Sequence, residues 1–423
     1  MSEYERAGEP VDLPEDPSLA PVTVGERISS LDFIRGIAVM GILGANIIAF
    51  GQPILATMYP PAWLSPENDP DHYWWLAQFV LIDGKMRGLF SILFGAGLWL
   101  FLQKAEQRGA GQGLAIRRLA FLGLFGLIHY YFIWVGDILF LYSVSGLVLL
   151  GFLQIKPFNQ LILGALAFVV SSILFAVIFG GLYYVSASGM DDSGELANVG
   201  KVMLESGSGM DAAIATGDYL AFVGHQFTVG LFNPLSALFQ STVETAGLML
   251  IGMALMRMGF FEGLFDRRKM IVWGSTALIL GTAASVWLGL WLIDQDFDIW
   301  ASSLAYIGAS NIPRLAMALG MAALLVVFAP GATGWLGSRI SAAGRAAFTN
   351  YLGTSILMLF VFHGWALGLF GELSRPQLYL VAAIAWIVML AWSKPWLDRY
   401  RYGPLEWLWR CLTYGKRFPL RRA

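Results

Sequence analysis

One apolar stretch carries an imidazole and a carboxylate close together: "RRLAFLGLFGLIHYYFIWVGDILFLYSVSG", residues 117–146. His129 lies well inside a predicted helix, and Gly136 turns the chain after it. Asp137 directly precedes the next predicted helix, and Tyr142 lies just inside that helix. A carboxylate at this spacing can orient an imidazole and raise its basicity, as general-base catalysis requires. A lone histidine in an apolar helix can also be a purely structural residue. The stretch therefore predicts a catalytic His129–Asp137 pair or a satisfied buried histidine.

A second polar pattern lies in "SLDFIRGIAVMGILGANIIAF", residues 30–50. Asp32 and Arg35 are one helical turn apart and can pair on one face. Asn46 follows Arg35 by about three turns, roughly 16 Å further along the same face. The spacing favours a polar stripe facing the protein interior. The alternatives are that Asp32 and Arg35 are orientation signals at the interface and that Asn46 bonds a neighbouring helix.

Other charged side chains fall inside apolar segments, where lipid penalises them. Lys85 and Arg87, close to Asp83, could clamp an anion or anchor a helix. Glu244 lies in the middle of a predicted span, so it must be paired, neutral or functional, and Arg314 is its partner or another group's. Further substrate-binding or donor-binding candidates are Arg118, on the same helical face as His129, and Asn350 in "GRAAFTNYLGTSI".

The remaining motifs exclude several chemistries. The four histidines show no HxxxH or HxxE spacing, so we expect no metal site. His363 is expected at the outer boundary, and His72 and His225 in solvent outside the spans. The single cysteine, Cys411, excludes an intramolecular disulfide. No Walker sequence, GxGxxG in a nucleotide-binding setting or GxSxG elbow occurs, and the near-neutral charge of −2 gives no sign of a nucleic-acid partner.

The amino-acid composition indicates which kind of secondary structure positions these residues. The chain is 57% hydrophobic and 13% charged, with a mean hydropathy of +0.63, so it has more apolar surface than a soluble core could bury. We expect an all-α polytopic bundle of about ten membrane spans. They are residues 31–50, 74–103, 117–135, 138–154, 159–185, 232–256, 270–293, 311–330, 346–370 and 376–394. The second is too long for one straight helix, and "IDGKMRG" at 82–88 predicts a break in it.

Basic residues occupy alternate connections between the spans, which predicts that both termini are cytosolic. The acidic, Pro-containing residues 1–26 predict a disordered cytosolic tail. Residues 27–396 would form the bundle, with 186–231 as its largest outer connection, and 397–423 a basic cytosolic segment. The expected location is the inner, plasma membrane of a bacterium.

Several stretches together resemble the bacterial YeiB-like membrane proteins, whose C-terminal half is a domain of unknown function (418). They are "RISSLDFIRGIAVMGILGANI", "DGKMRGLFSILFGAGLWLF", "HYYFIWVGDILFLYSVSGL", "LMLIGMALMRMGF", "GRAAFTNYLGTSI" and "RYRYGPLEWLWRCLTYGK". The opening LDxxRG, with Asn46 eleven residues after Arg35, also resembles the transmembrane acyltransferase superfamily. That group includes acyltransferase family 3 and the heparan-alpha-glucosaminide N-acetyltransferases. The resemblance implies acyl transfer from cytosolic acyl-CoA to an acceptor across the membrane, by His129 or by His72.

The sequence leaves two main functions open. In a membrane acyltransferase, cytosolic arginines such as Arg118 and Arg345 would meet the CoA phosphates, and His129 with Asp137 would act near the outer face. No tightly bound cofactor is expected, and the partners would be the lipid bilayer and a small-molecule, glycan or lipid acceptor, with a homo-oligomer as a further option. In a transporter of a small polar or lipid-linked solute, Glu244, His129 and Asp137 would be proton or substrate sites. A non-catalytic scaffold is a third interpretation.

Overall fold

A computed structural model describes residues 29–64, 72–107, 109 and 111–422, and these form an all-α bundle. Within those ranges the chain forms no β-strand. The helices in the first half are α1 Ser29–Gly51, α2 His72–Leu81, α3 Lys85–Gln107, α4 Gly111–Phe132, α5 Leu139–Leu149, α6 Pro157–Ala187, α7 Glu195–Glu205, α8 Ser208–Thr216 and α9 Tyr219–Phe227. Those in the second half are α10 Asn233–Arg257, α11 Arg267–Asp294, α12 Ile299–Ser303, α13 Asn311–Phe328, α14 Trp335–Arg345, α15 Ala347–Phe362, α16 Arg375–Arg399 and α17 Pro404–Tyr414.

The chain is a multi-pass membrane protein. In the described ranges, eight helical segments are long and apolar enough to span a bilayer, at positions of eight of the ten predicted spans. The predicted fourth span is the shorter apolar helix Leu139–Phe152. The predicted ninth is α15, which forms a ninth crossing only together with α14, bent 86° from it. Sequence hydropathy marks such segments but cannot separate a short or bent helix from a full span.

The predicted break in the second span is confirmed. Helix α2 ends at Leu81 and α3 begins at Lys85, and Gly84 between them has a φ of +74°. A side chain is strained at this φ, and a Cβ on Gly84 would also lie 2.4 Å from Cδ of Arg314. The break therefore brings the charged residues at 83–87 against α13.

Helices α1 and α14 cross very closely, and glycine makes the crossing possible. A Cβ on Gly344 would lie 1.9 Å from the carbonyl oxygen of Asp32, and one on Gly36 would lie 2.1 Å from the carbonyl oxygen of Ile340. Small residues let helix backbones approach in this way. The crossing holds the Asp32 end of α1 beside Arg345 at the end of α14.

The connection at 186–231 contains the helices α7 to α9. Helix α9 is fixed to the end of α4, because the Tyr130 hydroxyl donates to the Gly230 carbonyl at 2.9 Å and the Tyr219 hydroxyl donates to the Phe132 carbonyl at 2.7 Å. The predicted tail at 1–26 lies outside the described residues. The basic segment at 397–423 contains an ordered helix, α17, packed against α4 and α15.

Candidate functional site

His129 and Asp137 form a buried hydrogen-bonded pair. Nδ1 of His129 lies 2.9 Å from Oδ1 of Asp137, and the two side chains are 0% and 2% exposed. The other carboxylate oxygen, Oδ2, accepts the Phe140 backbone N–H at 2.9 Å at the start of α5. A carboxylate only accepts, so Nδ1 carries the proton, and in the neutral imidazole Nε2 carries the lone pair. Among the described residues Nε2 has no hydrogen-bond partner.

Tyr351 of α15 lies next to the His129–Asp137 pair. Its ring centroid is 5.2 Å from that of His129, and its oxygen accepts the Ile138 backbone N–H at 3.3 Å. No described residue accepts the Tyr351 hydroxyl proton, which leaves it as a donor for a ligand. Sequence spacing could not identify Tyr351, because α15 begins more than two hundred residues after α4.

Tyr351 also lines a cavity of about 240 Å³, which we call the apolar chamber. Its walls come from α1, α3, α4, α5, α14, α15 and α17. Residues of those walls include Phe90, Phe94, Leu122, Leu139, Tyr142 and Phe348. The Tyr142 hydroxyl shares a 2.7 Å hydrogen bond with the Ser91 hydroxyl. The chamber therefore has mainly apolar walls, with the tyrosines Tyr142 and Tyr351 among the residues lining it and charged side chains where it meets the next cavity.

A second cavity of about 300 Å³, the vestibule, adjoins the apolar chamber at the end of the bundle where α1 begins and α3 ends. The two cavities share Arg35, Gly97, Arg118, Arg345, Glu406 and Trp409 in their walls. Among the described residues, six cationic side chains line the vestibule, against the two carboxylates of Asp32 and Glu406. They are Arg35, Lys104, Arg118, Arg345, Arg401 and Arg410. The vestibule is therefore strongly basic.

Specific contacts orient the vestibule charges. Arg35 donates to Asp32 at 3.1 Å, as their spacing predicts. The Arg118 guanidinium lies 3.8 Å from the centroid of the Trp409 ring, and the Trp409 indole N–H donates to the Arg118 carbonyl at 2.9 Å. These contacts hold Arg118 between α17 and the cavity.

Glu406 of α17 is a site residue that sequence reasoning missed. Its Oε1 accepts the backbone N–H groups of Phe348 at 2.7 Å and Thr349 at 3.0 Å, and its Oε2 accepts the Thr349 hydroxyl at 2.5 Å. Burial raises the pKa of Glu406, and the hydrogen bonds from Thr349 and Phe348 offset part of that rise. The side chain caps the N-terminus of α15, the helix that carries Tyr351.

A third cavity, of about 390 Å³, lies at the opposite end of the bundle, and we call it the outer cavity. Asp137, which lies between α4 and α5, lines this cavity. Helices α5, α8, α9 and α10 supply other parts of its walls. His129 therefore contacts Asp137, which lines the outer cavity, and Tyr351, which lines the apolar chamber. The three side chains form the partition between the two cavities.

The other charged candidates form a separate cluster. Glu244 is paired with Arg87 at 2.5 Å. Arg314 instead donates to the Tyr306 carbonyl at 2.6 Å, although it lines one small void together with Arg87 and Glu244. Lys85, fully buried, donates to the Phe79 carbonyl. None of the four lines the apolar chamber, the vestibule or the outer cavity.

Two predicted binding residues also lie away from the three cavities. Asn46 is partly buried and lines none of them, so the polar stripe on α1 stops short of Asn46. The Asn350 amide donates to the Ala343 carbonyl and the Ser393 hydroxyl and accepts the Trp392 indole N–H. Asn350 therefore joins α14, α15 and α16 through its side chain, and its binding role stays a prediction.

The remaining histidines differ in their surroundings. His72 is exposed at the start of α2 and lines none of the three cavities. His225, predicted to be solvated, is partly buried and lines the outer cavity. His363 is buried at the end of α15, where desolvation lowers its pKa to about 4. Within the described part of the chain no three His, Cys, Asp or Glu side chains are grouped as metal ligands.

Comparison with known proteins gives the family. The chain is 31% identical over 411 residues to "Uncharacterized protein YxaH" of Bacillus subtilis, covering 94% of this chain and 96% of the relative. It is also 31% identical over 398 residues to "Uncharacterized protein YeiB" of Escherichia coli, covering 92% and 96%. The chain belongs to the YeiB-like family. A family model described as "Protein of unknown function (DUF418)" matches residues 255–416 of this YeiB-like chain, and no solved structure matches it.

Proposed function

We propose that this YeiB-like protein transfers an acyl group from acyl-CoA on the cytosolic side to an acceptor on the outer side of a bacterial plasma membrane. The observation that carries the proposal is the partition. A basic vestibule and an apolar chamber lead to Tyr351, the outer cavity reaches Asp137 from the other side, and the buried His129 contacts both residues. A donor and an acceptor can thus approach the His129–Asp137–Tyr351 group from opposite ends of the bundle.

The vestibule and the apolar chamber fit the two chemical parts of an acyl-CoA. Phosphate groups favour arginine, which offers paired donors and keeps its charge. The vestibule offers five arginines and one lysine. The narrower apolar chamber suits the thinner and less polar pantetheine arm with its acyl group. The resemblance of the LDxxRG stretch to transmembrane acyltransferases agrees with this assignment, because Asp32 and Arg35 both line the vestibule.

The partition supplies the groups that acyl transfer needs. Nε2 of His129 takes the proton of an acceptor hydroxyl, whose oxygen attacks the thioester carbonyl carbon. The Tyr351 hydroxyl donates to the carbonyl oxygen as negative charge develops there. The C–S bond breaks, and His129 returns the proton to the leaving sulfur to give free CoA. Asp137 stabilises the imidazolium formed in between.

Direct binding and transfer measurements test the proposal. Arg401→Gln removes a cation from the vestibule, and we expect the Kd for CoA to rise about tenfold, which corresponds to about 1.4 kcal/mol. Arg417→Gln is the matched control, since Arg417 is an exposed residue of the same segment and does not line the vestibule. Binding of CoA can be followed by calorimetry on the purified protein.

The transfer assay uses radiolabelled acetyl-CoA and protein in vesicles. We expect His129→Ala to abolish label transfer and leave CoA binding unchanged, and His72→Ala to change neither. If the wild type neither binds CoA nor transfers label, the proposal fails. Loss of transfer in His72→Ala alone would move the catalytic role to His72.

Transport remains a second candidate because the two cavities enter from opposite ends and stop on either side of the partition. A transporter would open that partition alternately to each side, and the buried Arg87–Glu244 pair would then carry charge during the cycle. Uptake of a solute into vesicles that lack CoA, lost in Glu244→Gln, would support transport.

A further inference from the structure

The lining of the outer cavity carries few charged side chains. The described residues of its walls include no lysine or arginine, and the one carboxylate among them, Asp137, is already hydrogen-bonded to His129. The vestibule at the other end has six cationic residues. An anionic ligand would therefore meet the Asp137 carboxylate in the outer cavity with no cation in the lining to balance it.

The other polar groups of the outer cavity are hydrogen-bond donors and acceptors. They come from Tyr130, Ser206, His225, Gln226 and Asn233. Nδ1 of His225 is buried and has no hydrogen-bond partner among the described residues. Such groups recognise hydroxyls, which donate and accept at the same atom.

The rest of the lining is apolar. It includes Ile54, Phe140, Leu141, Met210, Val229 and Pro234. Val229 is 67% exposed and Ile54 is 45% exposed, so apolar side chains line this cavity and also reach the surface. The volume of about 390 Å³ is within the range of about 300–1,000 Å³ that small-molecule sites occupy.

We infer that the outer cavity binds an uncharged amphiphile, with a hydroxyl group directed at Asp137 and an apolar body against Phe140, Leu141 and Val229. This inference rests on the proposed function in naming that amphiphile as the acyl acceptor. The binding itself is independent of CoA. A monoacylglycerol has the required chemistry, and it reaches the cavity from the outer leaflet or, with a short chain, from water.

Photocrosslinking tests the binding. The full-length protein is placed in phosphatidylcholine vesicles with a monoacylglycerol carrying a diazirine in its acyl chain, and labelled peptides are mapped by mass spectrometry. We expect labels on α5, α9 and α10. Val229→Trp should reduce labelling at least fivefold because the indole fills the cavity. Val243→Trp, at a 53% exposed position of α10 outside the cavity, is the control and should leave labelling unchanged.

Competitors separate the chemical features of the ligand. Unlabelled monoolein should compete, and competition by soluble monobutyrin would show delivery from water as well. Glycerol, which lacks the apolar body, and lysophosphatidylglycerol, which is anionic, should not compete. Equal competition by lysophosphatidylglycerol, or labels confined to other helices, overturns the inference.

The same vesicles with radiolabelled acetyl-CoA separate the two proposals. Labelling of the cavity without acetyl transfer supports the binding site and refutes the acyltransferase. Acetyl transfer to another acceptor, with no labelling of the cavity by the probe, keeps the acyltransferase and refutes the amphiphile.

Discussion

The carboxylate of Glu406 fixes α17 to the N-terminus of α15, and its removal tests that contact. Glu406→Ala leaves the backbone N–H groups of Phe348 and Thr349 without their acceptor. An unsatisfied buried donor costs about 1–3 kcal/mol, so the variant should lose roughly 3 kcal/mol of stability. Glu406→Gln keeps an amide oxygen for both N–H groups and should stay within about 1 kcal/mol of the wild type.

Thermal unfolding in detergent and limited proteolysis of the C-terminal segment measure this effect. At about 2 °C per kcal/mol, we expect the Tm of Glu406→Ala to fall by roughly 6 °C and α17 to be cleaved faster. Equal behaviour of the Ala and Gln variants would refute the capping argument.

The stability that Glu406 contributes should also depend on pH, so the same unfolding experiment can be repeated over a range of pH. The pKa of Glu406 in the folded protein is raised above the ordinary 4.5. Its contribution to α17 docking is therefore fully present below pH 4.5 and declines as pH rises through the raised value. Glu406→Gln should lack this decline.

Three further changes have defined outcomes. Arg87→Ala leaves Glu244 as an uncompensated buried carboxylate and should cost about 3–5 kcal/mol in thermal unfolding, and Glu244→Leu in the same chain should restore much of it. Gly344→Val should force α1 and α14 apart and weaken CoA binding in calorimetry, because the added side chain meets the Asp32 carbonyl. Burial raises the pKa of Asp211 to about 6, so protection of α8 in hydrogen exchange should be lost as pH rises through about 6 and should be flat in Asp211→Asn.

The parts of the site set by local spacing could be predicted from the sequence. Asp32 and Arg35 are one turn apart on α1, and Asp137 follows His129 after a short turn, so each pair follows from helix geometry. The break before Lys85 was marked by glycine and charge in an apolar run. These features depend on a few consecutive residues.

The features that could not be predicted depend on contacts between distant helices. Tyr351 and Glu406 reach the site because α15 and α17 pack against α4, and no pattern along the chain encodes that packing. The Asn46 prediction assumed that one helix face meets a single cavity, but the vestibule and the apolar chamber occupy only the first turns of α1. The Glu244 carboxylate pairs with Arg87 rather than with Arg314 because α10, which carries Glu244, packs closely against α3, which carries Arg87.

The partition between the apolar chamber and the outer cavity has an electrical consequence. If both cavities are hydrated, the membrane voltage drops mainly over His129, Asp137 and Tyr351 instead of over the full lipid thickness. A charge crossing that layer would gain or lose about 2.3 kcal/mol per 100 mV. A neutral acyl group can cross without sensing the voltage, whereas the proton that passes from the outer acceptor to the CoA sulfur on each turnover would make the rate depend on it.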